Sequence, residues 1–402
     1  MSDTLSLAEL AGAISGGAAA LRSITTLQPI EGEGGKVFPA TYSGGKYAFE
    51  KRRLRGEDGR EREVECVLLN SVQSEANHAE LALLAAIERG EISLPLIEVD
   101  FSEANKQFKK DLPNLTSLDV PHRLADAILR DSVLPDGTRF SKSEYAARWG
   151  RANLWNATPI YEICPTALTF GMWGSPEKPG GLGAKFERAY ISEIVAVDVL
   201  VVNERSGFRV DPLSASSKVG LSRTEDGGFR LAEPNATAPL RPSELNHGNI
   251  VFPKQGTQIV GGIRCRFAEQ TTVVSLGALR KLRFPKSDGK NDSARDDAGR
   301  AVLAAIGLCA GVLASERGTS LRSRCTLRPV SPREWELLDQ PGKPQRTYTM
   351  NGKAAVALLN GAIAAAKGKG LEWADAKVTL QPTPELIDLV RRSQEVMAAE
   401  DE

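Results

Sequence analysis

The most constraining feature of the sequence is a change of hydrophobic period within residues 64–90. In the first half, side chains alternate between two faces, with Val64, Cys66 and Leu68 on one of them, as in a half-buried strand. From residue 72 the apolar residues recur at spacings of four, three, four and four, which places them on one face of a helix that ends at Gly90: Val72, Ala76, Ala79, Leu83 and Ile87. The pattern predicts a strand that leads directly into an amphipathic helix, and therefore a fold that mixes α and β.

A polar cluster occupies the point where the period changes: Asn70, Ser71, Gln73, Ser74, Asn77 and His78. Asn70 or Ser71 can cap the helix, and Gln73 stands three residues after Asn70, as in a variant capping box. The pairs Gln73/Asn77 and Ser74/His78 are four residues apart and so lie along one flank, beside the positive end of the helix dipole. Two interpretations stay open: capping with solvation, or a phosphate site at the helix start.

Composition bounds the class of protein. Of 402 residues, 41% are hydrophobic and 25% charged, which are ordinary globular values and predict a packed core. A chain of this length is expected to form two or three domains, or one domain with large insertions. Because 51 basic and 51 acidic residues cancel, attraction to nucleic acid has to come from local segregation of the two signs.

Cysteine usage and hydropathy predict a cytoplasmic protein. The five cysteines have neither a CxxC motif nor metal-ligand spacing, so we expect reduced core residues, no metal and no cofactor: Cys66, Cys164, Cys265, Cys309 and Cys325. The start of the chain has acidic residues and no basic segment, so a secretory signal is not predicted. The longest apolar run, 301–314, is glycine-interrupted and too short to span a bilayer.

Several segments organise the chain around this strand and helix. Residues 4–22 are expected to form an Ala/Leu helix, and the charged ribbon 46–63 a hairpin that exposes both signs. Residues 91–160 are interpreted as an inserted helical subdomain, and 205–247, rich in Gly, Ser and Pro, as a loop or thumb-like insertion. Residues 353–402 are expected to form C-terminal helices and an acidic tail.

Aromatic residues are interleaved with arginines in the predicted helical insertion. Tyr145, Trp149 and Trp155 alternate with Arg139, Arg148 and Arg151. Aromatic side chains beside arginines can stack on bases, and they can equally form the core of the insertion. Both interpretations stay open.

A glycine-rich segment, residues 174–188, precedes an apolar strand predicted over 194–202. It lacks the GxxxxGK[ST] spacing of a nucleotide-binding P-loop. We interpret it as a flexible loop that carries Lys185 and Arg188, two candidate RNA-binding residues.

Arginines segregate onto one side of two predicted strands. In GGIRCRF, Ile263, Cys265 and Phe267 point one way and Arg264 and Arg266 the other, because strand side chains alternate. Residues 321–328, LRSRCTLR, are predicted to form one strand whose outward set includes three arginines: Arg322, Arg324 and Arg328. A third basic cluster contains Arg280, Lys281 and Arg283. Residues 317–333 hold five arginines and no acid before Glu334, which predicts a surface for the phosphate backbone of nucleic acid.

Several of these blocks together resemble a known family. The segment LLNSVQSEANHAE is followed, in order, by GAKFERAYISEI, RVDPL, PSELNHGNI and LRSRCTL. Between about residues 21 and 330 the chain resembles the backbone subunit of type I CRISPR effector complexes of the I-U/I-G branch, within the RAMP superfamily. The resemblance implies an α+β fold with a modified RRM-like (ferredoxin-like) core, an antiparallel sheet, a large helical insertion and a protruding thumb hairpin.

The resemblance also implies a function and a set of partners. Copies of the subunit would polymerise along a CRISPR RNA within a Cascade complex and present it for pairing with a target DNA strand in antiviral defence. Implied protein partners are the subunit at the guide 5′ end that processes repeats, the large subunit, and a helicase-nuclease recruited to the complex; no membrane is involved. The RNA-binding residues predicted from all these patterns are Ser71, Gln73, Ser74, Asn77, His78, Lys185, Arg188, Arg264, Arg266, Arg322, Arg324 and Arg328.

Two other classes of function stay open at this point. Related RAMP proteins cleave RNA, and Asp100, Asp198 and Asp211 are the acids that would be tested for such activity. No histidine can be paired with a general acid or base from spacing alone, so no enzyme activity is predicted: His78, His122 and His247. A structural subunit that contacts only protein would leave the segregated arginines unexplained.

Overall fold

The computed structural model describes the chain except for residues 1–2, 44–45, 56–58, 175–184, 203–214, 217, 225–226, 234, 238, 246, 248–260, 374–376 and 401–402. Its helices are α1 (Leu7–Ser15), α2 (Val72–Glu88), α3 (Ala127–Arg130), α4 (Glu144–Trp149), α5 (Thr158–Ile163), α6 (Pro165–Phe170), α7 (Leu276–Arg280), α8 (Ser293–Glu316), α9 (Gly352–Lys367) and α10 (Pro384–Glu400). Its strands are β1 (Ala20–Pro29), β2 (Lys36–Val37), β3 (Phe49–Arg55), β4 (Glu61–Asn70), β5 (Ile97–Val99), β6 (Leu115–Thr116), β7 (Ser132–Val133), β8 (Met172–Trp173), β9 (Lys185–Phe186), β10 (Tyr190–Val201), β11 (Leu221–Arg223), β12 (Phe229–Leu231), β13 (Ile263–Ser275), β14 (Thr319–Arg322), β15 (Cys325–Pro329), β16 (Glu334–Leu338), β17 (Arg346–Thr349) and β18 (Val378–Pro382).

The centre of the fold is an antiparallel sheet with an RRM-like order. Its four central strands lie in the order β16-β1-β13-β10, and every neighbouring pair is antiparallel. Along the chain these strands and two long helices occur as β1, α2, β10, β13, α8 and β16, which is the β-α-β-β-α-β arrangement of ferredoxin-like folds. The predicted α+β class with an antiparallel RRM-like core is therefore confirmed.

Further strands extend this core, and the extended sheet curls. Beyond β10 lie β4 and β3, and beyond β1 lie β15 and β14. Although β15 and β4 are far apart in the strand order, Cys325 of β15 packs in one buried cluster with Val67 and Leu69 of β4. The sheet thus wraps around its own apolar side.

The predicted strand and helix of residues 64–90 are confirmed as β4 and α2. Cys66 packs with Val64 and Leu68 on one face of β4, while Val67 lies in the cluster on the other face. The chain leaves the helix through Gly90, whose φ of 70° favours glycine. The buried face of α2 carries the predicted alanines and Leu83 together with two carboxylates that the pattern did not reveal, Glu75 and Glu80.

Helix α8 fills the middle of the larger core cluster. Its 24 residues are long and apolar enough to cross a membrane, but 78% of its most apolar window is buried inside the protein. Phe284 packs so closely on Gly299 that an added Cβ would lie 2.7 Å from its ring. α8 is therefore a core helix.

The N-terminal region differs from the prediction of one helix over residues 4–22. Helix α1 ends at Ser15, and a turn through Gly17, with φ of 85°, leads into β1. The inward residues of β1 include Ser23 and Thr25, which are buried but polar. Because polar residues occupy inward positions, the alternating apolar pattern of a strand is hidden in the sequence.

The segment predicted as a helical insertion also contains a sheet. Residues 91–160 include α3, α4 and three short strands, β5, β6 and β7. β18, from the C-terminal region, pairs in parallel with β5 and antiparallel with β7. The C-terminal region thus contributes a strand to this part of the fold as well as the expected helices α9 and α10.

Other predicted segments are described in part. The charged ribbon forms the expected hairpin, in which Lys51 of β3 pairs with Glu63 of β4 at 2.7 Å. Within 205–247 the described residues include a small hairpin, β11–β12. Residues 209–213 and Asp211 lie outside the described residues.

All five cysteines are buried and free, as expected for reduced core residues. Burial raises the pKa of the Cys265 thiol to about 11 and that of Cys309 to about 12. Both thiols are therefore protonated at neutral pH.

Candidate nucleic-acid interface

The start of α2 is capped, but not by the predicted box. Ser71 is the N-cap residue, and its hydroxyl accepts from the backbone N–H of Ser74 at 3.3 Å. Ser74 rather than Gln73 stands at the third helical position, so the box predicted from Asn70 and Gln73 is wrong. Asn70 instead ends β4 in the interior and donates to the carboxylate of Glu75 at 2.5 Å.

Glu75 places a negative charge inside the first turns of α2. Its carboxylate also accepts from Ser192 Oγ at 2.8 Å and from Gln270 Nε2 at 2.6 Å. His78 Nδ1 lies 4.0 Å from the same carboxylate. Because an acid at this end of a helix already complements the dipole, less of the positive potential is left for an external anion.

The flank of α2 exposes the predicted polar pairs. Gln73 and Asn77 are exposed, while Ser74 and His78 are half-buried. Neither the Gln73 side chain nor the Asn77 side chain has a hydrogen-bond partner among the residues that the structure describes. The four side chains are therefore accessible for polar contacts, and their role in RNA binding stays a prediction.

Residues 321–328 form a hairpin, so the prediction of one continuous strand is wrong. β14 and β15 are joined by Ser323 and Arg324, and Arg324 has a φ of 57°. The predicted alternation across the segment therefore breaks at the turn. Arg324 is exposed, and its guanidinium lies over the ring of Phe38 at 4.8 Å from the centroid.

Arg322 closes the curled sheet. Its guanidinium donates to the carbonyl of Leu69, at the end of β4, at 2.9 Å and to that of Phe38 at 3.4 Å. It thereby joins β14, at one edge of the sheet, to the far side. Two further arginines of the 317–333 cluster also bind protein groups: Arg317 donates to the carbonyl of Leu81 at 2.9 Å, and Arg333 to Gln270 and Thr272.

Arg264 and Arg266 are exposed, and the alternating residues Ile263 and Cys265 are buried, as predicted. Phe267 does not share their side, because it packs with Cys66 and Val197 on the other face of the sheet. Strands β10 and β13 pair through Val197↔Phe267 and Val199↔Cys265. Between these two pairs Asp198 lies opposite Arg266 and has a φ of 56°. This local irregularity splits the predicted inward set.

Lys36 of β2 lies between two arginines that contact the segment 34–38, Arg264 and Arg324. Arg266 is exposed two residues after Arg264 on the same strand. We call these four cations the basic patch: Lys36, Arg264, Arg266 and Arg324. Arg264 lies opposite Lys36 in the ladder and donates to the carbonyl of Gly34 at 2.5 Å. Arg324 stacks on Phe38, and its carbonyl accepts from the Phe38 N–H at 3.1 Å. In the described part of the chain, no acid forms an ion pair with any of the four.

Three further predicted cations, Arg328, Arg280 and Lys281, have partners within the protein. Arg328 is exposed and lies opposite Gln28 of β1. With the Gln28 amide oriented so that its oxygen faces Arg328, that oxygen accepts a hydrogen bond from Arg328 Nε at 2.9 Å. In the third basic cluster, Arg280 donates to the carbonyl of Ala18 at 2.6 Å and Lys281 pairs with Glu187 at 2.6 Å. Among the described residues, Lys281 is thus the one cation of this cluster that an acid neutralises, while Arg283 is exposed.

Lys185 begins β9 in the small hairpin β8–β9, and Arg188 follows two residues after that strand. Lys185 Nζ stands 4.7 Å above the ring centre of Trp173. Arg188 is half-buried against Gly171, near the buried ion pair of Glu80 with Arg123. Desolvation raises the pKa of Glu80 to about 7 although Arg123 contacts both of its carboxylate oxygens, at 2.5 and 2.6 Å.

The open face of the sheet offers no stacking platform. The two central strands present Arg22, Ile24 and Thr26 on β1 opposite Val273, Thr271 and Glu269 on β13. Next to them Arg52 contacts three glutamates: Glu50, Glu193 and Glu269. RRM domains stack bases on aromatic side chains at such central positions. None of these six residues of β1 and β13 is aromatic.

The aromatic residues of the predicted aromatic and arginine cluster differ in burial. Tyr145 and Trp149 pack against the large core cluster, in line with the core interpretation. Trp155 is 74% exposed.

The candidate acids and histidines lie on separate elements. Asp100 accepts from the N–H and hydroxyl of Ser102, and these hydrogen bonds lower its pKa. Asp198 is exposed on β10, and His247 lies against Phe229 with ring centres 4.8 Å apart. Among the described residues, no group of three His, Cys, Asp or Glu side chains could hold a metal.

Fold and site together define an α+β protein with an RRM-like core and an open sheet face without aromatics on its two central strands. At one end of the sheet stand arginines that form no ion pair with any acid in the described ranges. Residues 21–201 match the family described as CRISPR-associated protein GSU0053 (Cas_GSU0053). This match bears out the predicted resemblance to a CRISPR-associated Cas family and supports a role in CRISPR-Cas defence. No curated protein matches the chain.

Proposed function

We propose that this protein is the CRISPR RNA-binding backbone subunit of a type I Cascade complex. Copies of it polymerise along the guide RNA and present the bases for pairing with target DNA, without catalysing a reaction. Its partners are the guide RNA, the target strand, further copies and the other Cascade subunits with their recruited helicase-nuclease, all in the cytoplasm. The proposal rests on the match to the CRISPR-associated family and on the basic patch.

The observation that carries the proposal is the convergence of unpaired cations at β2. Arg264 and Arg324 come from distant parts of the sequence, yet both contact the segment 34–38. Exposed cations without acidic partners suit phosphates, which supply affinity without reading sequence. A subunit that holds any guide needs such sequence-independent contacts, because base pairing itself reads the target.

The test measures RNA affinity against salt concentration for Arg264→Ala/Arg266→Ala/Arg324→Ala. Removal of each cation that neutralises a phosphate of single-stranded RNA should lower the salt slope by about 0.7, and the effect should be similar for RNAs of unrelated sequence. The matched control removes three exposed cations that have acidic partners, Arg89, Lys106 and Lys343. An equal change in slope in both triple variants would contradict the proposed site.

The absence of catalysis is tested separately. Labelled RNA incubated with the protein and magnesium should stay intact. Cleavage that disappears in Asp100→Ala or Asp198→Ala would favour a nuclease instead.

A further inference from the structure

The hairpin β8–β9 presents one tryptophan to solvent. In its register Trp173 lies opposite Lys185, and Met172 opposite Phe186. Met172 and Phe186 are buried, whereas Trp173 is 68% exposed. The hairpin therefore has an apolar side that packs on the protein and an outer side formed by Trp173 and Lys185.

The base of this hairpin is fixed to the core. The carbonyl of Gly171 accepts from Arg123 Nη1 at 3.0 Å, and Arg123 is held by the buried carboxylate of Glu80 on α2. Gly171 has a φ of 86°, which favours glycine. A Cβ added there would collide with Arg188, so the position does not accommodate a side chain. Trp173 is thus mounted on a short, anchored element.

An exposed indole on an anchored element is unusual, since tryptophan is highly buried on average. Lys185 Nζ lies over the ring at 4.7 Å, so a cation stands directly beside the aromatic surface. Single-stranded nucleic acids are bound by this combination, because every base has a π face to stack and every nucleotide a phosphate to neutralise. The open sheet face has no aromatic at its central positions, so stacking has to come from elsewhere.

We propose that Trp173 stacks on an unpaired nucleobase while Lys185 contacts the adjoining phosphate. The inference rests on the proposed function and adds to it a stacking site outside the sheet. Trp155 is equally exposed but has no cation over its ring among the described residues, so it serves as the matched control.

The experiment measures binding of unstructured oligouridylate and oligothymidylate to the full-length protein, by fluorescence anisotropy of the labelled oligonucleotide. Trp173→Ala should raise Kd roughly 5- to 150-fold for the RNA and leave the salt slope unchanged, because stacking releases no counterions. Lys185→Ala should instead lower the slope by about 0.7. Trp155→Ala should bind like wild type, and Trp173→Phe should recover most of the affinity. The DNA arm shows whether the stacked base belongs to RNA alone or to either nucleic acid.

The outcomes separate the two proposals. If wild type binds RNA but Trp173→Ala and Trp155→Ala bind equally well, the stacking site is overturned and the proposed function stands. If Trp173→Ala no longer self-associates in sedimentation while its RNA affinity is unchanged, the side chain contacts protein and the stacking site is again overturned. Thermal unfolding matched to wild type ensures that a reduced affinity does not reflect misfolding, and a wild-type protein that binds no oligonucleotide overturns both proposals.

Discussion

Arg322 and Arg324 stand two residues apart in one hairpin, but their guanidinium groups have different partners. Arg322 donates to the carbonyls of Leu69 and Phe38, whereas Arg324 is exposed above the Phe38 ring. The sequence pattern predicted the same exposed position for both side chains, because both fall on the outward side of one predicted strand. The turn at Ser323 and Arg324 removes that equivalence.

This difference predicts that the two arginines separate stability from binding. Arg322→Ala should lower the free energy of unfolding by about 1–3 kcal/mol, because two carbonyls lose a charged donor. Arg324→Ala should change stability by less than about 0.5 kcal/mol but weaken RNA binding. Urea denaturation and RNA titration of both variants check this. Equal stability losses in the two variants would show that Arg322 does not hold the sheet closed.

At the scale of elements, an ion pair joins α2 to the insertion. Glu80 of α2 binds Arg123, whose guanidinium also reaches the carbonyl of Gly171 before β8. Both side chains are buried, so removing Glu80 leaves the buried guanidinium of Arg123 without its partner. The pair therefore fixes how the insertion and the hairpin β8–β9 sit on α2.

The raised pKa of Glu80 predicts a pH dependence of stability. Between the unfolded value near 4.5 and about 7, the folded protein holds a proton that the unfolded chain has released. The contribution of Glu80 is therefore full at low pH and is lost as pH rises to about 7, by up to about 3 kcal/mol. The measurement compares unfolding free energies of wild type and Glu80→Gln across this range.

Glu91 supplies a control of opposite sign. The exposed carboxyl of Glu91 has a lowered pKa, chiefly through its hydrogen bond from Arg89. Relative to Glu91→Gln, wild type should gain stability as pH rises above the lowered pKa. A wild-type protein that gains stability over Glu80→Gln as pH rises would show that the ion pair dominates desolvation.

Strong local periods allowed some elements to be predicted and others not. The segment 64–90 was predicted because its apolar residues follow the period of each element. β1 was missed because Ser23 and Thr25 point inward, next to a buried polar network around Glu75 and Gln270. The other members of that network come from β10, β13 and the segment before β16. Local sequence patterns around β1 therefore could not predict these contacts.

For the candidate site, the sequence revealed which residues are basic but not which remain unpaired. Arg264 and Arg266 were predicted as an exposed set, and they are exposed. Arg317, Arg322 and Arg333 bind carbonyls and side chains that lie far away in the sequence. Only the curl of the sheet brings these partners within reach, so residue spacing could not distinguish structural from accessible arginines.

At the scale of the whole molecule, zero net charge makes the position of each acid matter. The open sheet face concentrates glutamates around Arg52, while the basic patch lies at another part of the sheet. Two exposed acids, Glu31 and Glu33, belong to the loop that leads into β2. They stand close in sequence to Lys36 and to Gly34, the partner of Arg264. Because screening in physiological salt acts over about 8 Å, acids this near weaken attraction of a phosphate.

Glu31→Gln/Glu33→Gln should therefore bind RNA more tightly than wild type, by about 2- to 10-fold at low salt. The gain should shrink as salt rises, since exposed charges are screened, and unfolding should be unchanged. Glu88→Gln/Glu372→Gln removes the same charge from exposed positions elsewhere, at the end of α2 and after α9, and should have a smaller effect. Because both double variants reach the same net charge, an equal gain would mean that total charge, rather than the basic patch at β2, governs attraction of the RNA.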